Sequence, residues 1–147
     1  MDTYKIILEA HSGIAYVALA TLLVASINSL IGLSAKNEFN PKDRRIALFA
    51  LIAAHIQFVF GLILYFVSPN GLSKIKAVGM GGMSSFDRLL ALEHPLVNFI
   101  AIVLITIGWS THKRVENSNT KFKKIALFYS LGLLLLLSRI PWQTWFA

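Results

Sequence analysis

Three histidines, His11, His55 and His94, stand inside apolar stretches of this chain, and a fourth, His112, sits beside Lys113 and Arg114 at the edge of one. An ionisable group inside hydrocarbon costs from about 2.5 kcal/mol upward and seldom faces lipid, so each buried imidazole is a functional candidate. Counting along helices at about 1.5 Å per residue from the flanking charges puts His11, His94 and Arg139 in one layer, roughly 9 Å below one boundary. The same count puts His55 about 15 Å from the other boundary, near the midplane. Two imidazoles facing each other from diagonal helices of a bundle are the axial arrangement for a haem iron, and this is the sharp reading of His11 and His94. Arg139, with Lys74, Lys76 or Arg88, could neutralise haem propionates, because buried carboxylates need paired charge.

Other chemistries use the same residues. Glu9 and Glu93 lie close to His11 and His94 in sequence. The histidines could therefore be hydrogen-bonded helix-end residues, with Arg139 paired to one of the acids. The acids could instead orient a ligating imidazole, or join His11, His94 and His55 in a non-haem metal site of mixed nitrogen and oxygen ligands. For His55 a second haem ligand, a proton relay and a packing residue near Gln57 or Ser130 all stay open. His112 reads as a solvated boundary residue. Proton or ion transport would need polar groups at successive depths, and the other half offers chiefly Ser26, Asn28 and Ser29, which suit helix packing.

The elements that must position these residues follow from composition. Hydrophobic residues make up 56% of the 147 residues and charged ones 14%, with a mean hydropathy of +0.65, which does not suit a water-exposed surface. The solvent is read as lipid. Four apolar stretches, Ile6 to Leu33, Ile46 to Val67, Leu89 to Trp109 and Ile125 to Trp145, each approach or exceed the roughly 20 residues that span a bilayer. The expected fold is all-α: a single transmembrane domain over residues 1–147, an integral-membrane four-helix up-down-up-down bundle. The first stretch is too long for the apolar region of a signal peptide and is read as retained. The chain has no cysteine, which excludes disulfides, thiolate iron–sulfur ligation and covalent c-type haem attachment.

Nine of the fourteen cations lie in two loops: Lys36, Lys42, Arg44 and Arg45 between the first two stretches, and Lys113, Arg114, Lys121, Lys123 and Lys124 between the last two. The positive-inside rule puts those loops in the cytoplasm and both termini on the periplasmic side of a bacterial inner membrane. The basic excess is thus topogenic and does not indicate nucleic acid; attraction to anionic lipid is compatible with it. Trp109, Trp142 and Trp145 read as interface anchors. The loop from Ser68 to Arg88 carries Pro69-Asn70-Gly71 and three further glycines, an irregular stretch with room for a short interfacial segment. Ser84 and Asp87 fit a capping box that starts the third helix, and Pro95 either kinks that helix or marks its start.

An internal repeat supports two tandem hairpins. Arg44-Arg45-Ile46-Ala47-Leu48-Phe49 matches Lys123-Lys124-Ile125-Ala126-Leu127-Phe128 at an offset of 79, and His11 matches His94 at an offset of 83. Parallel repeats about an axis along the membrane normal would set the two histidines on opposite walls at one level. Ser12, Gly13 and Gly132 are small enough to let a macrocycle or a helix approach closely.

The segments His11-Ser12-Gly13, Arg45-Ile46-Ala47-Leu48-Phe49, His55-Ile56-Gln57, Gly61 to Pro69, Glu93-His94-Pro95 and Arg139-Ile140-Pro141-Trp142 resemble a family of short four-span membrane proteins of Bacteroidota labelled cytochrome b or cytochrome b-like. The resemblance covers nearly the whole chain and implies a small inner-membrane protein holding haem b. The paired-hairpin plan is also similar to one half of the haem A synthase architecture. The Glu-x-x-His-Arg run of that enzyme family is missing, so its activity is not carried over.

The sequence is therefore expected to encode a haem b protein liganded by His11 and His94 near the outer leaflet. It would carry electrons in or beside a respiratory or biosynthetic complex, with a membrane redox complex or quinone as partner; an electron carrier or accessory subunit is favoured over a stand-alone enzyme, with the enzyme question left open. The alternative is a cofactor-free accessory or assembly subunit whose helix faces dock on partner helices.

Overall fold

The computed structural model describes residues 2–146, which are helical almost throughout and contain no strand. Helix α1 (Thr3–Ser34) starts at Asp2, whose carboxylate accepts the Lys5 backbone N–H at 2.8 Å. Helix α2 (Pro41–Val67) begins with a capping box: the Asn40 side chain accepts from Lys42 and Asp43, the Asp43 carboxylate accepts the Asn40 N–H, and Pro41 fills the first turn, where no donor is needed. A short helix, α3 (Leu72–Val78), occupies the glycine-containing loop.

The expected capping box is present: Ser84 accepts from Asp87 at 3.1 Å and starts α4 (Ser85–Arg88). That helix continues through one widened π turn (Leu89–Glu93) into α5 (His94–His112). Pro95 explains the widening. It cannot donate to the Ala91 carbonyl and its ring crowds that group, and the His94 N–H reaches one residue further back, to Leu89. Pro95 therefore sits in the first turn of α5, where a π turn joins that helix to α4, a feature frequent at functional sites.

Helix α6 (Ser118–Ser138) starts at Asn117, whose side chain accepts from Thr120. It departs from the expected fourth stretch at both ends. The cap lies upstream of Lys121, Lys123 and Lys124, so the basic residues are inside the helix, while Arg139 and Pro141 end it before the short α7 (Trp142–Trp145). Among the described residues three helical segments, Thr3–Ser34, Pro41–Val78 (interrupted between α2 and α3) and Ser85–His112, are long and apolar enough to cross a membrane by length and composition. The apolar part of α6, Ile125 to Ser138, covers only about 21 Å at 1.5 Å per residue.

Helix α1 packs along α2, α5 along α6, α1 along α6, and α2 less extensively on α5, leaving α1 and α5 on a diagonal. The close packing rests on small residues: Ala18, Ala25, Ala47, Ala50, Ala54 and Ala101 are buried around Leu22, Ile105, Ile125 and Tyr129. At Gly132 an added Cβ would stand 2.6 Å from the Ile105 side chain, so this glycine sets the approach of α6 to α5. Gly13 meets nothing and plays no such part. The Tyr129 hydroxyl, fully buried, donates to the Ala47 carbonyl at 2.8 Å and ties α6 to α2. Large apolar side chains such as Val17, Val24, Ile31, Phe49, Val59 and Leu134 point outward. Small residues inside and large apolar ones outside make a surface compatible with bilayer contact.

Candidate functional site

Helix packing brings His11 of α1 and His94 of α5 together across the diagonal, with ring centres 6.2 Å apart and planes at 89°. The His11 ring lies against α2 where Gly61 makes room for it: a Cβ there would stand 3.0 Å from His11 Cε1. Gln57, one turn earlier on α2, donates to the His11 carbonyl at 2.9 Å and places the same amide nitrogen 3.5 Å from His11 Nε2. On the other wall, His94 Nδ1 donates to the Arg139 carbonyl at 2.8 Å, which leaves Nε2 as the lone-pair nitrogen, 3.1 Å from the Asn98 amide. This backbone hydrogen bond fixes the tautomer and the orientation that a ligating imidazole needs.

Arg139 thus reaches the predicted layer, but through its carbonyl. Its guanidinium pairs with Glu93, Nε to Oε1 at 3.4 Å, with both side chains more than two-fifths exposed. That is the acid pairing anticipated as the simpler reading, and a half-exposed pair of this kind adds little stability. Of the other cations at this end of the bundle, Lys74 lies 3.9 Å from Asp87, and Arg88 donates to the Met83 carbonyl and the Ser85 hydroxyl.

His55 is not brought to this site. Its Nδ1 donates to the Leu51 carbonyl at 2.8 Å, and its Nε2 lies 3.3 Å from the hydroxyl of Thr106, which is twelve residues along α5 from His94. Its hydrogen-bonding contacts are these, and Gln57 bonds to His11 instead. His112 differs from expectation altogether: it is 1% exposed, packed between the tilted rings of Trp109 and Phe39, with Nδ1 bonded to the Trp109 carbonyl. Counting depth from Lys113 and Arg114 missed the aromatic cover that Phe39 supplies from the loop between α1 and α2. Trp109, read as an interface anchor, is likewise only 8% exposed.

Sequence reasoning also missed Asn98 and Gly61, and tied Gln57 to the wrong histidine. Asn98 could have been found from its place one turn after His94, where side chains meet. Gln57 could have been found as a lone amide in an apolar run.

The fit of a cofactor can be judged on this geometry. Two imidazoles bonded at about 2 Å to opposite sides of one metal hold their ring centres roughly 6 Å apart, which agrees with the 6.2 Å seen here. Three polar atoms of the cluster, His11 Nδ1, Gln57 Oε1 and Asn98 Oδ1, are buried without a hydrogen-bond partner among the described residues. Buried polar groups normally find partners, so an orphaned set beside a histidine pair suits a site built to be completed by something else. Among the described residues no group of three or more His, Cys, Asp or Glu side chains could hold a metal ion. A haem between the rings requires the Gln57 and Asn98 amides to turn away from the ring nitrogens they now touch.

Comparison with protein-family models, with curated proteins and with solved structures found no match.

Proposed function

We propose that the chain is an integral protein of the bacterial inner membrane, an up-down-up-down four-helix bundle with both termini on the periplasmic side. In this reading His11 and His94 hold one haem b near the outer leaflet. The observation that carries the reading is the 6.2 Å separation of the two rings across the α1–α5 diagonal. The outward apolar side chains and the placement of Lys and Arg support the membrane assignment.

Haem held by two imidazoles supplies one-electron transfer, with no open coordination position for a substrate. The protein's part is positional. The Arg139 carbonyl holds His94 in the tautomer that frees Nε2, Gly61 seats the His11 ring, and Gln57 fixes the backbone of α1 at His11. The function proposed is electron transfer in or beside a membrane redox complex, with quinone as a possible partner.

A cofactor-free accessory subunit is the second reading, and a specific observation favours it: the Nε2 atoms of both rings already face side-chain amides, Gln57 at 3.5 Å from His11 and Asn98 at 3.1 Å from His94. Titration of detergent-purified protein with haemin separates the two. Uptake of one equivalent with a shifted Soret band supports the haem site. A folded protein that takes up none overturns it in favour of the accessory subunit.

A further inference from the structure

At the end of the bundle opposite the histidine pair, cations from three helices converge on one buried aromatic group. The Arg44 guanidinium of α2 lies 5.2 Å from the Trp109 ring centre and the Lys113 ammonium, just past α5, lies 5.6 Å from it. Lys121 of α6 lies 5.7 Å from the Phe39 ring and donates to the His112 carbonyl at 3.0 Å. Trp109, His112 and Phe39 form a contiguous aromatic cluster of tilted rings, with ring centres 4.7 and 5.5 Å apart. All three cations lie within Coulombic range of the His112 ring.

None of the three has a carboxylate partner among the described residues, whose two ion pairs both lie at the other end. The nearby acid Asp43 is committed elsewhere, to the Asn28 amide and the Asn40 N–H. Aromatic faces hold cations in place at roughly 0.5–2 kcal/mol each. They do not neutralise them, and two like charges on one indole repel. Lys121 is accounted for by the carbonyl it caps at the negative end of α5. Arg44 and Lys113 are not. Both lie within 6 Å of one ring centre and both are exposed to a ligand, and guanidinium and ammonium donors are the side chains that bind phosphate.

We infer that Arg44 and Lys113, seated on Trp109, form a binding site for a phosphate group, supplied by the headgroup of an anionic phospholipid in the adjoining leaflet. The lipid source rests on the membrane reading above; the phosphate chemistry does not. A cation near an anionic leaflet contributes about 1 kcal/mol, so removing both should weaken retention by more than tenfold.

Native mass spectrometry of the purified protein, titrated with phosphatidylglycerol, phosphatidylcholine or inorganic phosphate, tests the site. The expected result is preferential retention of phosphatidylglycerol, lost in the Arg44→Gln/Lys113→Gln double variant and kept in Lys74→Gln/Lys76→Gln at the opposite end. Arg44→Lys keeps the charge and should bind as the wild type does, which separates lost charge from lost fold. A double variant that binds like the wild type would overturn the site, and equal retention of phosphatidylglycerol and phosphatidylcholine, which carries the same phosphate, would overturn the anionic-lipid source. Inorganic phosphate displacing the lipid at equal concentration would overturn the lipid source. Alkaline carbonate extraction reports separately on membrane insertion, so a failure of that reading is recognised independently.

Discussion

The rings of His11 and His94 meet at 6.2 Å across the diagonal between α1 and α5, although the residues are 83 positions apart. They are also each other's counterparts in the internal repeat. Equivalent residues of two hairpins related by a twofold axis can touch only near that axis, so their meeting is what a duplicated hairpin would give. Each ring is set differently on its own wall: His94 by the Arg139 carbonyl, His11 by the room that Gly61 leaves.

Gly61 makes the first prediction. A methyl group there would press on His11 Cε1 from 3.0 Å, so the imidazole must shift by a few tenths of an ångström. Gly61→Ala should weaken haemin uptake by about tenfold, the usual scale for disturbing the support of a ligating residue, while the protein stays folded by circular dichroism. Unchanged haemin affinity would mean that the His11 ring position does not matter to the site.

The two glycines Gly13 and Gly132 should respond in opposite senses. Gly132→Ala forces a Cβ to within 2.6 Å of Ile105 and should destabilise by about 1–3 kcal/mol, as overpacking does. Gly13→Ala adds a methyl in open space and should stabilise by up to about 1 kcal/mol through helix propensity. Thermal unfolding in detergent measures both.

The elements were legible in the sequence because apolar runs and capping residues act locally. Asp87 three residues after Ser84, and the stretches that became α1, α2 and α5, could be read with no knowledge of the fold. What could not be read depends on other segments. His112 looks solvated beside Lys113 and Arg114, and only the packed structure brings Phe39 over it. The end of α6 was set too late because the apolar run continues to Trp145, whereas Arg139 and Pro141 break the helix. The pairing of His11 with His94 was legible through the repeat. The amides that touch them were not, because Gln57 reaches α1 only when α2 is docked.

His55 should prove dispensable for cofactor binding. Its hydrogen bonds run to Leu51 and Thr106, so His55→Leu should leave haemin uptake unchanged and cost about 1 kcal/mol of stability. Loss of haemin uptake in this variant would give His55 a role that its position does not suggest.

The absence of native cysteine allows a clean topology measurement. With both termini periplasmic, Ser73→Cys in α3 should react with a membrane-impermeant maleimide in intact spheroplasts, and Asn119→Cys at the start of α6 only after lysis. The reverse pattern would invert the bundle and place the histidine pair in the inner leaflet.

The central claim is tested most directly by absorption spectra of the detergent-purified protein, oxidised and then dithionite-reduced, for wild type, His11→Ala and His94→Ala. The account predicts a Soret band that sharpens on reduction with resolved α and β bands in the wild type, and its loss or alteration in both variants. A well-folded, colourless wild type that also refuses added haemin would contradict it.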